Sequence, residues 1–320
     1  MTETGGRRLC TAFLFDADHT TLFRNGWAPG STSDLNSMQR IDTITDLKRV
    51  LREHRRSGAR IGLVPTMGAL HEGHLSLVDA LRARCDVIVA TIFVNPKQFG
   101  PSEDLDRYPR TLERDASLLA DRGVQLLFAP EVRTIYPDGF RTNVSIAGVS
   151  EGLCGAQRPG HFDGVATIVL KLFNIVGPDV AVFGEKDFQQ LAVIRAMTRD
   201  LDLHFDLEIV GAPIVREPDG LAMSSRNVFL SPEERVRARS LSAGLLAAEE
   251  AFRAGERRGP RLCGLARDVM AASDVHPQYL ELRGFDDLAP LDLADGPSVL
   301  LTAAYVGSTR LIDNLILSRS

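Results

Sequence analysis

Two histidines three residues apart, His71 and His74, lie in the run Val64-Pro65-Thr66-Met67-Gly68-Ala69-Leu70-His71-Glu72-Gly73-His74. At that spacing they share one face of a helix. Imidazoles so placed can donate hydrogen bonds to phosphate oxygens and stabilise charge growing on a leaving group. The apolar stretch 61–64 ahead of them reads as a buried strand broken at Pro65, and helical periodicity continues through Leu75, Leu77, Val78 and Leu81. Strand, tight turn and helix is how α/β folds present a helix N-terminus to phosphate. Gly68 and Gly73 leave the backbone bare where a nucleotide could come close. The same pair could instead ligate zinc or cap a helix with no ligand at all, although zinc enzymes of the H-E-x-x-H type need i, i+4 spacing, which this run lacks.

Four further clusters carry polar chemistry. Asn95-Pro96-Lys97-Gln98 follows the apolar run 87–94, at the strand end where parallel sheets bind ligands, and the Gln98 amide can both donate and accept. Gly184-Glu185-Lys186-Asp187 repeats that logic at a later strand: Lys186 brings a cation to the rim, Asp187 suits a helix cap, and Gln189 and Gln190 lie one turn inside. Met223-Ser224-Ser225-Arg226 occupies a loop, and two hydroxyls with a guanidinium offer several donors to a polyphosphate. Asp115 opens a helix, where it could meet Mg²⁺ carried by a nucleotide or simply favour the helix N-terminus. Each cluster alone is also what an ordinary βα loop contains. No G-x-x-x-x-G-K-[ST] and no G-x-S-x-G occurs. Together they point to phosphate chemistry on a nucleotide.

The elements that must position these residues alternate. Strands are expected at 60–65, 86–94, 125–129, 180–183 and 207–213, with helices at 72–84, 111–122, 163–176 and 187–200. A helix capped by Thr45 or Asp46 precedes them, and Gly58, Gly123 and Gly177 fall where left-handed helix ends suit glycine. Continuously apolar strands between helices imply a parallel sheet covered on both faces. After Pro213 the pattern changes: Ser231-Pro232-Glu233-Glu234 starts a long helix to about residue 254, another runs near 261–272, and strands follow at 278–283, 298–305 and 309–316. The expected fold is therefore α/β, a Rossmann-like parallel-sheet domain at 38–213 followed by a smaller α+β domain at 214–320. Residues 1–37, rich in Gly, Ser, Thr and Asn, read as an extension or a start-site artefact with Met38 as the natural start. Within them Asp16-Ala17-Asp18-His19-Thr20 faintly imitates the D-x-D-x-T nucleophile motif of haloacid-dehalogenase-like phosphatases.

The chain has 320 residues, 44% of them hydrophobic and 25% charged, and a net charge of −5 that gives a nucleic-acid partner no electrostatic support. Cys10, Cys85, Cys154 and Cys263 form no C-x-x-C pair, which fits reduced thiols in the cytoplasm, and no apolar run reaches the ~20 residues of a membrane span.

P-T-M-G-A-L-H-E-G-H at 65–74, F-V-N-P-x-Q-F at 93–99, R-P-G-H-F-D-G-V at 158–165, G-E-K-D at 184–187 and M-S-S-R-N at 223–227 together resemble the pantothenate synthetase (pantoate–β-alanine ligase) family. The resemblance runs from about Met38 to the C-terminus, with H-E-G-H similar to the H-I-G-H element of a wider adenylyl-transferring superfamily. It implies ATP, Mg²⁺, pantoate and β-alanine as ligands, a pantoyl-adenylate intermediate, and a homodimer. Met67, Gly68, Ala69, Leu70, His71, Glu72, Gly73 and His74 would hold ATP, with Gly184, Glu185, Lys186, Asp187, Val215, Met223, Ser224, Ser225 and Arg226. His74 would act as proton donor, assisted by His71, Lys186, Ser224, Ser225 and Arg226. Gln98 and Gln190 would bind pantoate, Gln98 would also meet β-alanine, and Asp115 would touch Mg²⁺. Arg158 and His161 match without an assigned role. Where the superfamily carries a K-M-S-K-S loop, this chain lacks the lysine, so Arg226 and Lys186 must supply the charge. A nucleotidylyltransferase of the same superfamily, a phosphatase using Asp16, and a catalytically idle binding module are the competing readings.

Overall fold

Short apolar runs punctuated by glycine make the strands, and amphipathic stretches between them cover both faces of the sheet they form. The computed structural model describes residues 38–101, 103–203 and 207–318. The expected extension at 1–37 and its Asp16 motif lie outside the described residues.

Six strands form a parallel sheet: β1 (Gln39–Ile41), β2 (Ile61–Thr66), β3 (Val87–Ile92), β4 (Leu126–Phe128), β5 (Val180–Gly184) and β6 (Glu208–Ala212), in the order β1-β4-β3-β2-β5-β6. Every pairing in it is parallel. Because side chains alternate along a strand, Leu63 faces one core and Val64 the other. Helices α1 (Ile44–Arg56), α6 (His161–Val176) and α7 (Phe188–Asp200) are represented in the first core, and α2 (Glu72–Leu81) and α3 (Leu112–Asp121) in the second. The strand order reverses between β2 and β5. At such a switch point the loops leaving neighbouring strands diverge and open a crevice beyond the sheet's carboxyl edge. That crevice receives both the turn carrying His71 and the turn carrying Lys186.

Beyond residue 213 the chain forms α8 (Pro232–Ala238), α9 (Ser240–Arg253), α10 (Gly259–Ala271) and an antiparallel sheet of β7 (Pro277–Gly284), β8 (Ser298–Val306) and β9 (Thr309–Leu317), with its own apolar core. A smaller apolar cluster joins Leu153 and Phe188 to Val299 and Leu301, tying this sheet to the first. Asn314 on β9 donates to the carbonyls of Glu185 and Lys186 at 2.8 and 3.0 Å, so the second sheet also steadies the Lys186 turn.

Several expectations shift. Thr43, not Thr45 or Asp46, caps α1: its hydroxyl accepts from the Asp46 N–H at 3.1 Å and also donates to the Asp46 carboxylate. The long helix after Ser231 is two helices meeting at Arg239, whose guanidinium bonds the Asp219 carbonyl. Strand β1 and the short helices α4 (Val132–Ile135) and α5 (Leu153–Gln157) were not expected. Gly58, Gly123 and Gly177 do adopt positive φ at helix ends. Among the described residues no helix is long and apolar enough to cross a membrane.

Candidate active site

The turn after β2 needs an unusual backbone, and a buried carboxylate holds it. Gly68 and Ala69 both have positive φ, 84° and 52°. For Ala69 that conformation is costly and persists only where surroundings impose it. Asp115, fully buried at the start of α3, accepts from the Ala69 and Leu70 N–H groups at 2.8 and 2.9 Å and from the Thr111 hydroxyl at 3.1 Å. A Cβ on Gly68 would come within 3.1 Å of both Asp115 and Ile92, so glycine is needed for space as well as conformation. The expectation that Asp115 meets Mg²⁺ is therefore corrected: its carboxylate is committed to the turn beneath the cleft. Among the described residues there is no group of three or more His, Cys, Asp or Glu able to hold a metal ion.

From this turn the chain enters α2 with His71 at the N-cap and His74 one turn in, their ring centroids 4.1 Å apart. The His71 backbone N–H points at His74 Nδ1 at 3.4 Å, which leaves the proton of neutral His74 on Nε2. Burial, then the neighbouring His71, pushes the His74 pKa down to about 3. Burial and the Lys186 cation push His71 down to about 4. Both rings are thus neutral at physiological pH, and His74 offers a hydrogen bond rather than a loose proton before a ligand arrives. Gly73 is bare chiefly for His71, whose ring atoms would lie 2.9 and 3.0 Å from a Cβ there.

Gln98 is fixed by the groups around it. Asn95, buried, donates to Gln98 Oε1 at 3.0 Å and to the Gly164 carbonyl at 3.1 Å, while its own oxygen accepts from Tyr136 OH at 2.8 Å. That leaves Gln98 Nε2 as a donor, 3.2 Å from the Met67 sulfur. Arg158 and His161, unassigned from sequence, hold the Gln98 backbone. His161 Nδ1 donates to the Gln98 carbonyl at 2.8 Å, Arg158 Nη2 reaches the same oxygen at 3.3 Å, and Arg158 Nη1 donates to His161 Nε2 at 3.0 Å. Burial and the Arg158 charge lower the His161 pKa to about 4, so this relay stays neutral at the imidazole.

The cations of the site are already paired. Arg158 meets Glu103 at 2.6 and 2.7 Å, and Arg226 meets Asp104 through two bonds of 2.9 Å. Lys186 lies 3.7 Å from Asp187, a looser contact. Burial alone would raise the pKa of Asp104, but the Arg226 bonds outweigh it and hold the carboxyl low; at half-exposed Asp187 the cost of a crowded cleft is similarly outweighed by the Lys186 and Arg226 charges. Asp187 makes no capping bond to α7, contrary to expectation. Ser224 accepts from the Arg226 N–H at 3.2 Å, and Ser225 lies 3.5 Å from Tyr108 OH.

One cavity of about 220 Å³ gathers these pieces. His71, Gly73, His74 and Met67 line it with Gln98, Gly184, Lys186, Asp187, Gln190, Val215 and Met223, Ser224, Ser225 and Arg226. The remaining expected side chains face elsewhere. Leu70 is in the core, Glu72 pairs with Arg122 at 2.6 Å, Glu185 rests against Gly211 on β6, and Gly68 and Ala69 contribute backbone only to the turn. Gln189, next to Gln190, is a clamp: its amide accepts from the Cys154 N–H and donates toward the carbonyls of Val149, Glu151 and Gly152. Asp104, Tyr108 and Tyr136 were not foreseen. Their partners lie 122, 117 and 41 positions away in the chain, and only the fold reveals them.

A family model described as pantoate-beta-alanine ligase matches residues 39–316. A protein of Bradyrhizobium diazoefficiens named pantothenate synthetase 1 is 55% identical over 287 residues, which span 88% of this chain and 99% of that one. A pantothenate synthetase of Novosphingobium aromaticivorans is 53% identical over 282 residues, 87% and 98% of the two chains. The crystal structure of pantothenate synthetase from Thermus thermophilus matches with a TM-score of 0.82 at 45% identity, covering 87% of this chain and 99% of that one. The pantoate-beta-alanine ligase of Francisella tularensis, solved in complex with beta-gamma ATP and beta-alanine, matches with a TM-score of 0.71 at 32% identity, covering 88% and 98%.

Proposed function

This chain belongs to the pantoate–β-alanine ligase family, and on that premise we propose how its own side chains carry out the ATP-dependent condensation of pantoate with β-alanine. The observation that carries the assignment of roles is convergence: four segments far apart in sequence bring two imidazoles, an amide pair, a lysine and a Ser-Ser-Arg turn to a single cavity.

In the first half-reaction a pantoate carboxylate oxygen attacks the α-phosphorus of ATP. A carboxyl C–O–P linkage forms, the bond to the bridging oxygen breaks, and pyrophosphate leaves with that electron pair. No protein nucleophile is required, so catalysis is positioning and charge stabilisation. Gln98 and Gln190 hold pantoate, and the α2 N-terminus with His74 Nε2–H faces the phosphates. Bound phosphate is an opposite charge beside both imidazoles and raises their pKa, which turns His74 from a hydrogen-bond donor toward a proton donor. Lys186, Ser224 and Ser225 add donors, and Arg226 joins them once the polyphosphate competes with Asp104. Mg²⁺ accompanying the nucleotide would neutralise phosphate charge beside Lys186 and Arg226. In the second half-reaction the β-alanine amine attacks the acyl carbon, the bond to the phosphate oxygen breaks, AMP departs with its electrons, and the nitrogen gives up a proton. The loop 216–230 and a hinge near residue 214, dividing 38–213 from 214–320, keep water from the mixed anhydride. A homodimer and a cytoplasmic setting belong to the same reading.

The test supplies ATP and Mg²⁺ with pantoate and β-alanine separately and together. AMP and pantothenate should accumulate in equal amounts only when both are present. AMP without pantothenate, or neither product, would discard the substrate assignment.

A further inference from the structure

A second cavity, about 370 Å³, opens from the first between the rim of the parallel sheet and the strands β7 and β9. It shares His161, Lys186, Gln190 and Arg226 with the catalytic cavity, and its far wall is Cys154, Gln278, Tyr279 and Arg310. The mechanism above, on which this inference rests, needs such a space: the acceptor must reach the acyl carbon from a side that the nucleotide does not fill. β-Alanine carries a carboxylate two methylenes from its amine, and that charge must be matched when it leaves water.

The cations along this cavity differ in their engagement. Arg158, Lys186 and Arg226 each face an acid, and Arg107 is exposed and stacked on Phe229. Arg310 makes no ion pair with any described residue. Its Nε donates to the Gln278 amide oxygen at 2.7 Å, its Nη1 touches the Cys154 sulfur at 3.3 Å, and its Nη2 is buried with no hydrogen-bond partner. Thiol sulfur is a weak acceptor and the Tyr279 hydroxyl, the guanidinium's other neighbour, carries no charge, so Arg310 is left without an anionic partner. The fork of an arginine matches a carboxylate bidentately, and the acids on this cavity are themselves paired, Asp313 with Arg216 at 2.7 and 2.9 Å.

We propose that Arg310 is the carboxylate anchor of the acceptor subsite, reading the acid end of β-alanine while its amine points toward Gln190 and Lys186. Arg310 thereby selects an amino acid over a simple amine and takes no part in adenylate formation.

The test compares wild type with Arg310→Gln in three assays: pantoate-dependent exchange of labelled pyrophosphate into ATP, pantothenate synthesis over a β-alanine series, and amide formation with 3-aminopropan-1-ol, an acceptor of similar length without the carboxylate. Exchange and the aminopropanol rate should stay within about twofold, while the β-alanine KM rises roughly 10- to 100-fold, the loss of one charge-assisted contact. An unchanged β-alanine KM, or an equal fall with both acceptors, overturns the proposal. If the variant also loses exchange through misfolding, wild-type enzyme decides: propionate should inhibit competitively against β-alanine and not against pantoate, and the reverse pattern overturns the anchor. Wild type that shows neither exchange nor pantothenate would instead sink the function on which the proposal rests.

Discussion

The turn 66–70 is fixed from beneath by a buried carboxylate, whereas the turn 223–227 is held from the side by a surface-reaching ion pair. Asp115, its side chain fully buried, gives its acceptors to backbone N–H groups, where each lost bond leaves an unpaired donor. Asp104 gives its acceptors to a guanidinium that still has 28% of its side chain exposed, in a pair a polyphosphate can compete for. One rim of the cleft is therefore preorganised before the nucleotide arrives, and the other holds its charge against an internal carboxylate. A site that must stabilise departing pyrophosphate and then release products has use for both.

The sharpest way to break this contrast is Asp115→Ala. It strands the buried Leu70 N–H and the half-buried Ala69 N–H under a strained turn and should cost about 3–5 kcal/mol in the denaturant midpoint analysis, with pyrophosphate exchange reduced more than about 100-fold. A loss under about 1 kcal/mol would mean that the turn holds itself. His74→Ala removes a donor without touching that support. Turnover should fall by two decades or more while the unfolding midpoint barely moves, and near-normal turnover would take His74 off the catalytic side. Asp104→Asn should have the smallest effect and the opposite sign on binding. Freeing Arg226 should lower the ATP KM about two- to fivefold at low salt, with kcat changed less than about threefold. A raised KM would show that Asp104 serves to aim Arg226, and the two rims would then be alike.

Much of this architecture is legible in the chain itself. The runs at 61–66, 87–92 and 180–184 are apolar on both faces, which only a sheet covered on both sides explains, and the glycines ending α1, α3 and α6 mark their own positions. The three-residue β1 has no such signal; it exists because it pairs along β4. Asp115 escapes a local reading because a carboxylate in a first helical turn looks the same whether it meets solvent, a metal or a turn some 45 positions earlier. Glu72 and Glu185 sit within the expected nucleotide motifs yet turn from the cavity, Glu72 to Arg122 and Glu185 onto Gly211 of β6, since a motif constrains backbone as much as side chains. The pairing of Arg226 with Asp104 is beyond any local pattern, and it is the feature that most changes how the charge of the site is understood.

In the proposed first half-reaction the pantoate carboxylate itself attacks ATP. Pantoate labelled with ¹⁸O in its carboxylate, turned over with unlabelled ATP and β-alanine, tests it directly by mass spectrometry of the products. One ¹⁸O should appear in AMP and one should remain in the amide carbonyl of pantothenate. Label absent from AMP and found in inorganic phosphate, with ADP as the nucleotide product, would contradict the adenylate route and replace it with an acyl phosphate.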